Sequence, residues 1–341
     1  MTPKEQYLAA VRGEKHDRVP VTPIFMAWAA HYVGHTYRDF QLDGDVLADA
    51  QLAVTRAFGA DQVSAISDPW REASGYGMEF DYPPQGVGLP KGKLITSGDD
   101  VAELRPLEPS GSERMAQRVA SVARMSAEVG STHSVLGWIE GPIAEYADLR
   151  GVEETMIDLI QAPDMFARAA SVLVKTGLNF ATAQIKAGAD TIGVGDAAAS
   201  LVGPKLYAEH VLPWERKLFE GIHEAGGLVK LHICGDIRDI VGDMARSGAD
   251  IIDVDWMVPL AEARRAVGPD VALAGNFDPV EVLLRGTPRQ VGEAAAANIA
   301  DGGERFILQP GCEVPQGTPE QNIRAFCPCE GCLIADALNF Q

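Results

Sequence analysis

The chain has 341 residues, 46% hydrophobic and 23% charged, with a net charge of -19. This globular composition suffices for one large α/β domain or two smaller ones. The acidity excludes a nucleic-acid or anionic-lipid role, because the longest basic cluster is only "KGK" at residues 91–93 and such a chain repels both. No apolar run approaches the ~20 residues of a membrane span. The polar start "MTPKEQYLAAVRGEKHDR" is not a secretory leader, so no membrane association and a cytoplasmic location are expected.

In chain order, strands are predicted at residues 19–26, 62–68, 134–140, 191–196, 228–234, 251–255, 271–276 and 306–309. A phrase repeats at the start of three of them: "FGADQVSAISD", "AGADTIGVGDA" and "SGADIIDVDW". Each follows an Ala-rich helical segment. Its Gly suits a left-handed helix end, and its Asp leads into a β-branched strand. Helical spacing is clearest in "PDMFARAASVLVKTGLNFATAQIKA" and "PKLYAEHVLPWERKLFEGIHEA". Eight βα units predict a (β/α)8 TIM barrel occupying residues 1–341 as a single domain. The rival, a doubly wound open sheet, lacks a G-x-G-x-x-G after its first strand. Residues 69–131 are too long for one βα connection. They predict an insertion after the second strand, with a Gly/Pro-rich hairpin and the helix "SERMAQRVASVARMSAEVG", read equally as a lid or a plain excursion.

Barrel chemistry sits at the C-terminal strand ends. Those ends carry Asp68, Trp138 with Glu140, Asp196, His232 with Cys234, Asp253 with Asp255, Asn276 with Asp278, and Cys312. Acids and thiols crowded on one rim need compensation, and a cation is the simplest. In "GLVKLHICGD", residues 227–236, alternation turns Lys230, His232 and Cys234 inward and Leu231 and Ile233 towards the helices. Cys312 follows a Pro-Gly break after the last strand, and Asp255 lies one strand over. A His, two Cys and a fourth carboxylate suit zinc, although Asp255 reads equally as a side chain hydrogen-bonding nearby backbone. A lone strand His or Cys is more often an ordinary core residue; the combination at the active end is what points to metal. Asp68, Trp138, Glu140, Asp196 and Asn276 are candidate substrate contacts, although Glu140 and Asp196 read equally as helix caps. Trp70, Trp138, Trp256 and Phe277 could wall a large ligand or fill core. The five cysteines, Cys234, Cys312, Cys327, Cys329 and Cys332, favour metal or thiol chemistry over disulfides. The Cys-containing tail, 327–341, is a weak second-metal candidate.

These motifs give the chain a family resemblance. "LAAVRGEKHDRVPV", "ISDPW", "GADTIGVGDAAAS", "LHICGD" and "GCEVPQGTPEQNIRAF" resemble the uroporphyrinogen decarboxylase superfamily, and within it the zinc-dependent methylcobalamin:thiol methyltransferases such as those serving coenzyme M. The resemblance implies zinc held by His232, Cys234 and Cys312, with a carboxylate at Asp255 until a substrate thiol displaces it. It implies methyl transfer between a corrinoid, methylcobalamin or a small corrinoid protein, and a small-molecule thiol. The reverse direction, from a methylated substrate to the corrinoid, is an alternative. True uroporphyrinogen decarboxylases need no metal and carry an Arg-rich motif where this chain reads "PVTPIFMAWAAHYVG". An acidic rim is also expected to repel an octacarboxylate. A metal-free decarboxylase using Asp68 and a non-catalytic corrinoid- or metal-binding scaffold are the remaining rivals.

Overall fold

The computed structural model describes residues 1–328. Cys329, Cys332 and the second-metal expectation for the tail fall outside those residues, whereas Cys327 is buried in the core. The strands are β1 (Gln62–Ser64), β2 (Phe80–Asp81), β3 (Leu89–Pro90), β4 (Ser134–Glu140), β5 (Thr191–Gly195), β6 (Leu228–Ile233), β7 (Ile251–Val254), β8 (Ala272–Phe277) and β9 (Phe306–Pro310). Seven form a parallel sheet in the order β1-β4-β5-β6-β7-β8-β9. β2 and β3 make a small antiparallel pair inside the predicted insertion, between helices Trp70–Gly75 and Gly98–Glu103. Helix Glu113–Val129 returns the chain to β4.

The predicted first strand, 19–26, is not a regular strand. Pro20 and Pro23 have no N–H to give a ladder, so only the bridge between Val21 and Leu308 forms. The segment still occupies the eighth place. Thr22 N–H donates to Leu308 O at 3.0 Å, and Leu308 N–H donates to Pro20 O at 2.9 Å. On its other side Asp61 N–H donates to Val21 O at 2.9 Å. The curled parallel sheet, with helices outside it, is thus a TIM-barrel-like α/β fold closed at one seam by an irregular segment.

The repeated Gly-Ala-Asp phrase does two jobs. Gly59, Gly188 and Gly248 have φ of +69°, +110° and +96°, the left-handed region that ends a helix without a Cβ clash. Each Asp carboxylate then accepts the N–H of a valine on the preceding strand position: Asp61 from Val21 at 2.6 Å, Asp190 from Val135 at 2.9 Å and Asp250 from Val229 at 2.8 Å. A basic side chain completes each, namely Arg18, Lys4 and His223. The acids thus stitch neighbouring βα units together at the N-terminal end of the sheet. The same end is stopped by helix Pro3–Arg12, started by the Thr2–Glu5 capping box. Its Tyr7 and Val11 pack on Ile251, Ala272, Ala274 and Ile307. The opposite end stays available for a site.

The seam gives a stability test. Asp61 is fully buried with Arg18, while Asp250 is 28% exposed with His223. Asp61→Ala is expected to cost about 2–4 kcal/mol, because it strands a partly buried guanidinium and a buried backbone N–H. Asp250→Ala should cost about 1 kcal/mol. Equilibrium denaturant unfolding of the two variants reads the difference.

Candidate functional site

β6 was expected to aim Lys230 and His232 inward, and it does. Leu231 and Ile233 join the cluster under the helices, while Lys230 and His232 meet residues of neighbouring strands inside the barrel. Lys230 Nζ lies 3.1 Å from Asp253 Oδ2 and donates to Gln309 Oε1 at 2.7 Å. Gln309 Nε2 donates to Asp253 Oδ1 at 2.8 Å, and Thr22 Oγ1 to Gln309 Oε1 at 3.1 Å. Burial would raise the Asp253 carboxyl, but the charges of Lys230 and then His232 hold it at about 2. His232 pairs with Asp253 in register, and its Nδ1 lies 3.4 Å from Asp253 Oδ1. This directs Nε2 to the strand end, 2.9 Å from Cys234 Sγ.

Cys312 arrives from the turn after β9. The ligating atoms of His232, Cys234 and Cys312 all lie within 4.8 Å of one another. A tetrahedral zinc with bonds of about 2.1 Å to nitrogen and 2.3 Å to sulfur separates its ligands by roughly 3.6 Å, so this donor set can hold one. Metal-free, the three groups divide their protons. Burial opposes charge on His232, but Cys234 and Asp253 raise it well above an ordinary histidine. The hydrogen bond between the two thiols, against burial, drives Cys312 well down, and with burial it drives Cys234 up. Asp255 does not join this group. Its two oxygens accept the Gly235 and Met257 amides, both at 2.9 Å, so the expected fourth ligand is engaged with backbone.

A cavity of about 270 Å³ opens above these ligands. Its wall includes Ile24, Met26, Ile66, Asp68, Trp138, Glu140 and Glu313, with Pro69 and Val87 from the region after β1. Trp138 can lie flat only because β5 carries glycines beside it. A Cβ on Gly193 would stand 2.1 Å from Trp138 Cε3, and one on Gly195 would stand 3.1 Å from Cζ2. Of the four aromatics considered for an apolar wall, Trp138 lines the cavity. Trp70 stacks on Phe80, Phe277 packs against Phe326, and Trp256 is 46% exposed.

The acids of the rim are less bare than the sequence suggests. Arg114 grips Asp68 with two bonds, 2.9 and 2.7 Å. Against the effect of burial, Arg114 and then Arg71 and Arg118 keep Asp68 well below the usual carboxylate range. Arg71 donates to Glu140 Oε1 at 2.8 Å. Burial nevertheless pushes Glu140 up to about 8, with Glu72 adding to the rise. Behind it Glu145 and Asp148 are also raised well above normal, first by burial and then by neighbouring acids. Asp196 is a cap: its Oδ1 accepts from Ile143 and Ala144 N–H at the start of helix Pro142–Arg150. Burial and Glu215 raise it, and burial pushes Glu215 up to about 7. Asn276 donates to Asp255 O and Val258 O and is not part of the cavity wall. Asp278 caps Pro279–Leu284.

Sequence reasoning missed Glu313, which lines the cavity directly after Cys312. Burial and the charge on Cys312 push it up to about 7. Its place beside a candidate ligand was a usable signal. Gln309 was also legible by alternation, three residues before Cys312. Arg71 and Arg114 were not, since nothing local ties them to Glu140 or Asp68.

The chain matches the family model for uroporphyrinogen decarboxylase (URO-D) over residues 2–329. It is 29% identical to uroporphyrinogen decarboxylase of Streptomyces griseus, over 84% of this chain and 83% of that one. It is 30% identical to uroporphyrinogen decarboxylase of Synechococcus sp., over 94% of both. It is also 27% identical to the methylcobamide:CoM methyltransferase MtbA of Methanosarcina mazei, over 96% of this chain and 97% of that one. A solved methyltransferase from Methanosarcina mazei shares the fold, with a TM-score of 0.84 at 23% identity over 95% and 96% of the two chains.

The buried acids give a pH prediction. A carboxyl whose folded pKa is raised binds more protons folded than unfolded. Its contribution is fully present below the unfolded pKa and is lost as pH rises through the folded value. Glu140 at about 8 and Glu215 at about 7 set the window. Unfolding stability of the metal-free protein is therefore expected to fall from about pH 5 to pH 8. In Glu140→Gln the upper part of that slope should flatten, as read by denaturant midpoints across pH.

Proposed function

Because the chain belongs to the uroporphyrinogen decarboxylase family, we propose that it serves there as a zinc-dependent methyltransferase, moving a methyl group between a corrinoid and a small thiol. One observation carries this reading: His232, Cys234 and Cys312 converge at a cavity, and no carboxylate of the described residues completes their group. Asp68, Glu140, Asp196 and Asp255 have local partners in Arg114, Arg71 and backbone amides. The two thiols have each other, one imidazole and, at Cys312, the Glu313 amide. A three-ligand set with an open place is the pattern of a catalytic rather than a structural zinc.

Bound to these side chains, zinc would supply a positive charge that lets a thiol lose its proton at neutral pH. The chain does the rest. Asp253 fixes the orientation of His232 through Nδ1 and is itself kept ionised by Lys230. Cys234 and Cys312 bring two negative charges, which leave the loaded centre neutral before substrate enters. Ile24, Met26, Ile66 and Trp138 keep water from the cavity. With Asp255 held by backbone, the fourth place falls to the substrate. At about 270 Å³ the cavity lies just below the ~300–1,000 Å³ of clefts that enclose drug-sized ligands. A small thiol fits inside, and a corrinoid, free or on a small carrier protein, would meet it at the mouth.

A decarboxylase is the second reading. Relatives bearing that name and the cavity position of Asp68 favour it. Against it stand the size of the cavity for a four-ring substrate and the bidentate engagement of Asp68 by Arg114.

Native protein is expected to contain zinc by elemental analysis, and Cys234→Ser with Cys312→Ser should abolish it. Asp253→Asn should weaken zinc retention against a chelator about 10–100-fold. Zinc uptake by apo-protein should release protons from both His232 and Cys234, read in weak buffer. Methylcobalamin should lose its methyl group when the zinc protein and a thiol are supplied. Zinc unchanged in the double cysteine variant would sink the metal reading. Release of CO₂ from an acid by metal-free protein would favour the decarboxylase.

A further inference from the structure

The acids that line the cavity differ in one respect. Asp68 is matched by Arg114 and Glu140 by Arg71. Glu313 is matched by nothing: its Oε2 is buried with no hydrogen-bond partner, and no described Lys, Arg or His pairs with it. Tyr37 is near enough to feel its charge, but that hydroxyl donates to Ser67 O. No Lys or Arg lines the cavity. Leaving such an acceptor unsatisfied costs about 1–3 kcal/mol, more for a charged one, so the wall is incomplete without a donor.

A donor carried by a ligand would meet this acceptor. With zinc on two thiolates and an imidazole the centre would be neutral, and Glu313 is the acid of the cavity wall that has no basic partner. It follows Cys312 directly, which places a cation-accepting group beside the atoms that would hold the substrate's sulfur. The indole of Trp138 on the same wall adds an aromatic surface that favours a cation. An anionic thiol, by contrast, meets Glu313 and finds no basic side chain.

Resting on the methyltransferase reading above, we propose that Glu313 selects the substrate: it takes the ammonium of a short aminothiol whose sulfur goes to the centre of His232, Cys234 and Cys312. Glu313 acts as a specificity residue and leaves the metal ligands unaltered.

The test uses the zinc-loaded full chain and three two-carbon thiols: 2-aminoethanethiol, 2-hydroxyethanethiol and 2-sulfanylethanesulfonate. Binding is measured by calorimetry and by proton release, without any corrinoid. The aminothiol should bind at least about tenfold more tightly than the hydroxythiol, a gap of about 1.4 kcal/mol, with the sulfonate weakest. Glu313→Gln should erase that advantage and leave the hydroxythiol within about twofold of wild type. Because the ranking is read first on the wild-type protein, it does not depend on the variant's folding. Equal or tighter binding of the hydroxythiol or the sulfonate, an equal loss for every thiol in Glu313→Gln, or no thiol binding at all would overturn the assignment. Methyl transfer is scored separately. Glu313-dependent aminothiol binding without demethylation of methylcobalamin would support this inference and sink the broader reading. Efficient methylation of the sulfonate thiol alone would do the reverse.

Discussion

The interior of the barrel depends on the ion pair between Lys230 and Asp253. Two opposite charges in a fully buried layer are costly unless their remaining hydrogen-bonding capacity is met. Gln309 meets it, receiving from Lys230 and giving to Asp253. Thr22 gives to the same Gln309 oxygen. Three sheet strands and the irregular closing segment are thereby fixed against one another by side chains rather than by ladder bonds alone. The layer below is apolar, filled by Ile251, Ala272, Ala274, Ile307 and Tyr7. The layer above holds His232. Asp253 is the hinge between architecture and chemistry, because the carboxylate that anchors the core also faces the imidazole.

Charge compensation follows a division of labour. At the N-terminal end, acids of the Gly-Ala-Asp repeat use backbone amides of the preceding strand and a basic side chain each. At the C-terminal end, Asp68 and Glu140 use guanidinium groups from the region after β1, and Asp196 and Asp255 use amides. Every acid satisfied in this way is removed as a rival for a metal. His232, Cys234 and Cys312 are thereby isolated as a donor set, one that would favour an ion accepting nitrogen and sulfur together over a hard cation.

Much of this was legible in the sequence. The alternation in "LVKLHIC" predicted which side chains of β6 face inward, since a strand has no other way to place them. The repeated Gly-Ala-Asp marked the joints of the βα units, although the reach of each Asp to the preceding strand is a long-range bond that no local pattern encodes. Residues 19–26 misled because their β-branched, apolar content suits a strand while Pro20 and Pro23 withhold the donors. The segment fills a strand's place without strand geometry. Asp255 read equally as a metal ligand and as a partner for nearby backbone, because a strand position cannot tell the two apart; here the turn amides at Gly235 and Met257 take its oxygens. Arg71 and Arg114 could not be matched to their acids, because their partners are fixed by how the post-β1 segment folds back.

The helix Pro3–Arg12 has a consequence for traffic. Tyr7 and Val11 pack under the apolar layer of the barrel, and with the Lys230–Asp253 layer above it the interior is solid from that end, so the cavity opens only at the opposite face. On the proposed reading, a bulky macrocycle seated at that face blocks the way for anything smaller. The small partner must therefore board first, and it can leave only after the macrocycle has gone. On that reading, a compulsory order of arrival and departure would follow from packing at the far end of the molecule, remote from every group that touches substrate.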